Sequence, residues 1–409
     1  MADTEVIQHD IESFIPTAEE LEEFKKEEKS VAKSTAIKLT IERATLLKAL
    51  GHVQSVVERR NTIPILSNVK LEAKKDALSL TATDMELAVT ETIDAVIETE
   101  GALTVPAHTL YDIVRKLPDG AQVELDGQSD NEGTLIIRAD ACKFSLSCLP
   151  AEEFPVMDES GLSHHFALPV AECGALIDKT RFAISTEETR YYLNGIYLHV
   201  TKNKQDAVLR AVATDGHRLA KMEVELPDGA AGMPGVIVPR KAVLELRKVS
   251  EESDELVSIS LSATKIRFVC GKVVLISKLI DGTFPDYEKV IPANNENMME
   301  VDGDAFVKSV DRVATIVSEK SRAIKLALEG GKLVLSASGE GNGSAREELE
   351  VQYGGEAIEI GFNSRYLLEM MAAVESDTVQ FLFADGSAPA VVRDTSDPRP
   401  LYVIMPMRV

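Results

Sequence analysis

The chain has 409 residues, of which 44% are hydrophobic and 27% are charged, and its formal net charge is −23. This length predicts two to four domains, because one domain usually spans roughly 100–200 residues. The sequence has no run of about 18 apolar residues and no N-terminal secretion signal, so we expect a cytoplasmic protein without a membrane partner.

The first 36 residues differ in composition from the rest of the chain. They include ten acidic and four basic residues, a net charge of −6. Thr17 and Glu20 have the spacing of a capping box, but Leu21 and Phe24 are too few to hold a helix against a core. We therefore predict that residues 1–36 are an acidic, largely disordered extension.

One pattern then occurs three times along the chain. Apolar residues at helical spacing are followed each time by alternating, β-branched stretches. The helical patterns lie at 41–57, 169–184 and 304–317, and the alternating stretches include 78–83, 208–214 and 333–338.

A second helix is predicted in each repeat, from good helix starters. These helices begin at Pro106, Pro239 and Asn363, which are 133 (239 − 106) and 124 (363 − 239) residues apart. Phe154-Pro155 and Phe284-Pro285 close the first two repeats. The fold class predicted is α+β, with two helices on one side of antiparallel strands in each of three tandem domains, 37–155, 165–284 and 285–409.

The charge is distributed unevenly over these elements. The six helical windows 41–60, 106–118, 169–184, 239–250, 302–322 and 363–374 sum to +6, which leaves −29 for the remaining residues. Helices that all face one way would form a mildly basic surface, which attracts phosphate without reading bases. Alternatively, Lys and Arg are there because they are good helix formers.

A search for catalytic or metal-binding motifs finds little. The seven histidines lack metal-ligand spacing, and we expect His164-His165 to be a solvated linker pair. The cysteines lack CxxC spacing and are predicted to be reduced core thiols, at positions Cys142, Cys148, Cys173 and Cys270. We expect no metal and no cofactor.

One string resembles an active site. It places Asp215, His217 and Arg218 within four positions, which could serve acid–base chemistry. However, Asp215-Gly216 is also a turn signature, and the related stretch 82–87 of the first repeat has no histidine. We favour a structural turn at 214–219 and predict no catalytic residue.

Several strings together resemble the bacterial sliding clamp family. They are residues 39–48, 62–68, 190–195, 213–219, 284–287 and 402–409, and the likeness covers residues 38–409. The resemblance implies three domains of like topology, closed by a head-to-tail homodimer into a six-domain ring around duplex DNA. It implies a non-catalytic processivity subunit that tethers the replicative polymerase, the clamp loader, other polymerases and repair proteins.

The resemblance also implies a surface that contacts DNA without reading its sequence. It places Arg60, Tyr191 and Tyr192 there, and charge alone adds Arg240, Lys241, Arg247 and Lys248. Glu187 stands where relatives can carry a neutral residue, which puts a DNA contact at that position in doubt. Tyr191 and Tyr192 could instead be partly buried, with their hydroxyl groups exposed.

The partner site implied by the resemblance is a hydrophobic cleft between the second and third domains that takes short linear peptides. Flexible methionine side chains suit such a site. Lys289 replaces an arginine, and Ser321 an aromatic residue that relatives sometimes carry. The cleft residues are Leu193, Thr214, Gly216, His217, Arg218, Leu219, Pro285, Val290, Asn363, Tyr366, Pro389, Val403, Met405, Pro406, Met407 and Arg408.

The ring joint is implied in the same way. Phe144 and Leu146 of one protomer would meet Ile316 and Val317 of the next, although these residues alone resemble ordinary core. Two other classes of protein remain open at this stage. One is an enzyme that uses Asp215, His217 and Arg218, and the other is an acidic scaffold that binds only proteins.

Overall fold

The structure is a computed structural model that describes residues 36–127, 133–203, 206–251, 256–318, 322–339 and 343–408. The acidic extension, apart from Ala36, and Ser321 therefore lie outside the described residues. By compact packing the chain forms two units. One contains the described residues up to Asp158 with Lys272–Val274, and the other contains the described residues within Glu159–Gly271 and Leu275–Val409. The three predicted domain boundaries stay a prediction.

Six α-helices are present in the described parts of the chain, two in each predicted repeat. They are α1 (Arg43–Val53), α2 (Ala107–Lys116), α3 (Val170–Asp178), α4 (Arg240–Ser250), α5 (Gly303–Ala314) and α6 (Ser364–Met371). Helix α2 shows why helical spacing of apolar residues predicts a helix here. Ala107, Leu110 and Val114 lie on one side of it and are buried. Pro106, Pro239 and Asn363 are the N-caps of their helices, one residue earlier than the first helical turn.

The first unit contains two antiparallel sheets. One has the strand order β5-β1-β7-β8-β9, and β4-β3-β2-β6 are neighbours in the other. The strands are β1 (Lys38–Glu42), β2 (Asn68–Lys74), β3 (Ala77–Thr83), β4 (Leu87–Asp94), β5 (Val96–Thr99), β6 (Gly101–Pro106), β7 (Gln122–Asp126), β8 (Thr134–Ala139) and β9 (Cys142–Ser147). Strand β3 alternates as predicted, with Leu78 and Leu80 fully buried.

The strands of the other two repeats lie in the second unit, apart from Val273 and Val274 at the start of one strand, which belong to the first. These strands are β10 (His164–Pro169), β11 (Gly195–Asn203), β12 (Asp206–Thr214), β13 (Arg218–Glu225), β14 (Val236–Pro239), β15 (Leu256–Leu261), β16 (Lys265–Cys270), β17 (Val273–Lys278), β18 (Asn297–Asp302), β19 (Ala323–Glu329), β20 (Lys332–Gly339), β21 (Gly343–Glu350), β22 (Gln352–Tyr353), β23 (Ile358–Asn363), β24 (Thr378–Phe383), β25 (Ala390–Asp394) and β26 (Leu401–Ile404). Strands β10-β15-β16-β17 are neighbours, and a four-stranded sheet has the order β21-β20-β19-β23.

The largest sheet joins the second and third repeats. Its nine strands have the order β14-β11-β12-β13-β26-β25-β24-β18-β22. The junction is the antiparallel pair β13 and β26, in which Arg218 faces Ile404 and Leu219 faces Val403. Buried Lys179 adds a cross-link, because its Nζ donates to the carbonyl oxygen of Ala373 at 2.8 Å. The last strand of the chain thus packs directly beside the strand that follows the 214–219 turn.

Two local expectations are wrong. Cys142 is exposed at the start of β9 and Cys148 is half-buried, so only Cys173 and Cys270 are buried thiols. Burial raises the pKa of Cys173 to about 12. His164 and His165 belong to strand β10, where they pair with Leu261 and Ser260, and do not form a linker. Both errors concern polar or small residues at strand ends, where alternation gives the weakest signal.

None of the helices in the described parts of the chain is long and apolar enough to span a membrane. The same residues contain no group of His, Cys, Asp and Glu side chains placed to hold a metal ion.

Candidate functional site

Residues 214–219 form a tight turn held by its own side chains. Asp215 Oδ1 accepts hydrogen bonds from the backbone N–H groups of His217 and Arg218, at 2.9 and 3.0 Å. Thr214 Oγ1 donates to the carbonyl oxygen of Arg218 at 2.6 Å. Gly216 has a φ of +87°, which favours glycine. This string, which resembles an active site, is therefore an Asx-type turn whose aspartate is already bonded.

The first unit contains the same turn without a histidine. Asp84 Oδ1 accepts from the N–H groups of Glu86 and Leu87, at 2.9 and 2.7 Å, and Thr83 Oγ1 donates to the carbonyl oxygen of Leu87 at 2.9 Å. Met85 has a φ of +74°, at the position equivalent to Gly216. The shared geometry supports the structural interpretation of Asp215.

Arg218 ties this turn to the third repeat. Its side chain is buried, contacts Asp215 at 3.1 Å and donates to the carbonyl oxygen of Phe182 at 2.6 Å. It also forms an ion pair with Glu369 of α6 at 2.6 Å, and its guanidinium lies 4.3 Å from the ring centre of Tyr366. Burial opposes ionisation of Glu369, yet hydrogen bonds from arginines hold its pKa below the ordinary value. The turn and α6 are thus fixed together.

Beside the turn lies an apolar cluster, which we call the cleft cluster. Its buried members are Leu193, Val212, Leu219, Ile237, Phe284, Tyr287 and Val403. Three of these, Leu193, Leu219 and Val403, are residues predicted for the peptide site. Next to the cluster in sequence, the side chains of Val290 and Met405 are 52% and 42% exposed. Large apolar side chains left in water beside a buried apolar cluster are typical of a binding groove.

The C-terminal segment after β26 lies between two other parts of the site. The N–H of Met405 donates to the carbonyl oxygen of His217, and that of Met407 to Gly361, both at 2.9 Å. The imidazole of His217 is exposed and stacks on the ring of Tyr366, with centroids 6.1 Å apart. The predicted residues at 217, 366 and 405 are therefore brought together.

Other predicted cleft residues have mainly structural contacts. Asn363 caps α6, because its side-chain oxygen accepts from the N–H groups of Arg365 and Tyr366 at 3.0 and 3.4 Å. Pro389 is half-buried, and its carbonyl oxygen accepts from Asn295 Nδ2 at 2.8 Å. It immediately precedes Ala390, which pairs with Ile404 across β25 and β26. Pro285 and Arg408 are exposed, and Pro406 and Met407 are half-buried.

Sequence reasoning missed the partners of the predicted residues. Glu369 and Phe182 both contact Arg218, and neither has a motif that would identify it. Arg190 lies against the turn, since its Nη1 is 2.5 Å from where a Cβ on Gly216 would stand. The sequence did offer a signal for Arg190, because this residue begins the string 190–195 that resembles the sliding clamp family.

The residues predicted to contact DNA differ in exposure. Tyr191 is 55% exposed, whereas Tyr192 is half-buried and packs against the cleft cluster, with the two ring centroids 5.8 Å apart. Arg60 and Arg240 are exposed, and Lys241 and Lys248 are half-buried on α4. Arg247 Nε donates to Asp178 at 2.7 Å, which joins α4 to α3. Arg247 is therefore engaged in a contact between two helices of the second repeat.

The residues predicted for the ring joint are all partly exposed. Phe144 is 37% exposed and Leu146 is half-buried, and both lie on β9, an edge strand of its sheet. Ile316 and Val317 are half-buried in the turn after α5.

Three family models match the chain in tandem. They describe the N-terminal, central and C-terminal domains of the DNA polymerase III beta subunit, and match residues 37–158, 167–286 and 288–408. The Beta sliding clamp of Caulobacter vibrioides strain NA1000 is 54% identical over 373 residues, which are 91% of this chain and 100% of the relative. The chain belongs to the beta sliding clamp family.

Solved structures of beta sliding clamps share the fold. The crystal structure of the Caulobacter crescentus beta sliding clamp has a TM-score of 0.89 at 54% identity, and covers 91% of this chain and 99% of its own. The Bartonella birtlesii sliding clamp bound to griselimycin has a TM-score of 0.89 at 49% identity, covering 91% of this chain and 100% of its own.

Membership confirms two of the predictions. The chain consists of three tandem clamp domains, and it is a processivity clamp of DNA polymerase with no catalytic role of its own. As a beta sliding clamp it acts in DNA replication, with DNA and a polymerase as its partners.

Proposed function

We propose that this beta sliding clamp closes as a head-to-tail homodimer around duplex DNA in the cytoplasm. We further propose that it holds partner proteins through short apolar peptides bound at the cleft cluster. Partners of this kind are the replicative polymerase catalytic subunit, the clamp loader, other polymerases and repair proteins. A closed ring leaves DNA only by opening or by sliding off an end, so weak phosphate contacts are sufficient.

The observation that carries the ring is a pair of unlike sheet edges. Among the described strands, β9 and β21 each have a neighbour on one side only. Strand β21 carries three acidic residues, Glu347, Glu348 and Glu350, and one basic residue, Arg346, whereas β9 carries Lys143 and no acidic residue. Pairing two different edges extends a sheet from one protomer into the next and gives a heterologous, head-to-tail contact.

The residues predicted for the joint fit such a contact. Phe144 projects from β9 as a partly exposed aromatic side chain. On the other edge, Arg312 of α5 pairs with Glu347 of β21, and Ile316 follows Arg312 by about one helical turn. Apolar side chains beside a charged edge would give the joint both its affinity and its register.

The peptide site is supported by its chemistry. It combines a buried apolar floor with the exposed side chains of Val290 and Met405 and the exposed imidazole of His217. Methionine adapts its shape to varied apolar anchors, as a site with many partners requires. The griselimycin complex of the Bartonella birtlesii clamp makes that compound a practical probe, which we propose binds here as well.

The ring is tested by retention on DNA. The protein is assembled with a clamp loader and ATP on a nicked circular plasmid, and bound and free protein are separated by gel filtration. We expect retention on the circle and release once a restriction enzyme linearises it. Loss from the circle as fast as from linear DNA would overturn the proposal that topology holds the protein on DNA. Griselimycin binding tests the peptide site separately and does not depend on that result.

A further inference from the structure

A buried polar network lies beneath the segment that carries Pro285 and Val290. Its centre is Arg210 of β12, whose side chain is about 6% exposed. Arg210 Nε donates to Glu223 Oε1 at 2.8 Å, and Nη1 donates to the Tyr287 hydroxyl at 2.7 Å and to Glu288 Oε1 at 2.6 Å. One guanidinium thus joins two strands of the large sheet to the segment that follows Phe284.

Tyr287 belongs to both the network and the cleft cluster. Its ring is buried with Leu193, Leu219 and Val403, while its hydroxyl contacts His199 Nε2 at 2.9 Å as well as Arg210. Burial and the charge of Arg210 lower the pKa of His199, so a neutral imidazole can accept the proton that the hydroxyl donates. Every polar group in this chain of contacts therefore has a partner.

The segment held in this way is a short 3-10 helix, Tyr287–Val290. One of its faces is fixed by Tyr287 and Glu288, and at its end Val290 remains 52% exposed. The N-cap residue Asp286 makes no capping hydrogen bond to the helix backbone. Its carboxylate pairs with Lys289 Nζ at 2.8 Å, but an ion pair this exposed contributes little. The bonds to Arg210 therefore set where the exposed apolar side chain stands.

Stability alone is a poor reason for this arrangement. The buried charges of the network are Arg210 and Glu223, whose side chains are 6% and 5% exposed, whereas that of Glu288 is 62% exposed. Burying such a charged pair costs desolvation, and apolar residues of similar volume often replace it without loss of stability. A network that fixes a unique geometry is better explained by a need for that geometry.

We propose that Arg210 and Tyr287 are positioning residues of the peptide cleft. They hold Val290 and Pro285 where these can contact the apolar side chains of a bound peptide. This inference rests on the proposed peptide site and adds two residues beneath it. The Arg210 guanidinium and the Tyr287 hydroxyl bond to each other and not to the apolar surface of the cleft cluster. They act through the 287–290 helix.

The test compares griselimycin affinity in variants of the full-length protein. Tyr287→Phe removes one hydroxyl and keeps the ring in the cluster, and Arg210→Met removes the guanidinium. We expect affinity to fall about threefold for the first and about tenfold or more for the second. Arg138→Met is the matched control, since Arg138 also bridges two strand carboxylates, Glu124 and Asp126, at 2.7 and 3.1 Å in the first unit.

A double-mutant cycle separates positioning from general destabilisation. With Val290→Ala in the background, Tyr287→Phe should cause little further loss of affinity, because the side chain that it positions is gone. With Met405→Ala, the two losses should multiply. The sequence has no tryptophan, so Val290→Trp adds a single tryptophan, which can be excited apart from the eight tyrosines and whose anisotropy should fall when Tyr287→Phe is introduced.

The outcomes are distinct. If Tyr287→Phe and Arg210→Met bind griselimycin as the wild type does, the positioning role is wrong, whatever their thermal stability. If Arg210→Met fails to fold, Tyr287→Phe decides the question. If the wild-type protein does not bind griselimycin, the proposed site itself fails, and the cycle with Val290→Trp still reports whether the network holds the helix.

Discussion

Glu187 and Arg190 form a two-point ion pair at the start of the segment that carries Tyr191 and Tyr192. Arg190 Nε and Nη2 donate to the two carboxylate oxygens at 2.8 and 2.7 Å. The same guanidinium lies against Gly216 of the cleft turn. The pair therefore occupies Arg190 at a surface proposed to face phosphate, and it adds a negative charge there.

Neutralising Glu187 should strengthen DNA binding. In Glu187→Gln the released Arg190 can contact a phosphate, so the slope of log affinity against log salt should steepen by up to about 1. Glu188→Gln is the control, because it removes the same charge from the same segment without releasing Arg190. The measurement is anisotropy of a labelled duplex over a range of salt concentrations. Equal slopes for both variants would show that Arg190 gains no phosphate contact.

Single residues show where sequence reasoning reaches its limit. The turn at 214–219 was predictable, because Asp and Gly at fixed offsets determine its hydrogen bonds. The ion pair of Arg218 with Glu369 joins positions 151 residues apart (369 − 218) and depends on how β13 and α6 pack. No local pattern encodes such a contact, so Arg218 was predicted as a cleft residue without the partners that bury it.

At the scale of elements, the last strand and the residues after it form one edge of the site. Strand β26 completes the large sheet between β13 and β25, and residues 405–408 continue past it. Periodicity predicted the six helices well, because each buries one apolar face. It could not distinguish a C-terminal strand in the core from one that lines a groove, since both are apolar.

Residues 405–409 should be required for peptide binding and dispensable for folding. Removing them should abolish griselimycin binding, because it deletes the exposed Met405 and leaves β26 in the sheet. The milder Met405→Ala should weaken binding about tenfold. Met298→Ala is the matched control, since Met298 on β18 is 46% exposed and outside the site. Unchanged affinity in the truncated protein would refute the assignment of this segment to the cleft.

At the scale of the whole molecule, the protein has a formal net charge of −23 although its partner DNA is also negatively charged. The proposed ring resolves this conflict, because topology would keep the protein on DNA while its net negative charge repels other nucleic acid. Composition alone argued against a DNA partner, since the favourable charge is confined to a few helices. The deciding information was the threefold repeat together with the family likeness.

The dimer should depend on one edge of the first sheet and not on the other. Phe144→Glu places a charge on β9, where the joint is proposed to bury an apolar side chain against the next protomer, and should weaken the dimer by at least about 100-fold. Val96→Glu makes the same kind of change on β5, at the opposite edge of that sheet, where Val96 is already 70% exposed. Light scattering over a dilution series should give the monomer mass for Phe144→Glu and the dimer mass for Val96→Glu. Circular DNA should retain only the second variant, because a ring that cannot close has no topological hold. A Phe144→Glu dimer that persists on dilution would place the joint elsewhere.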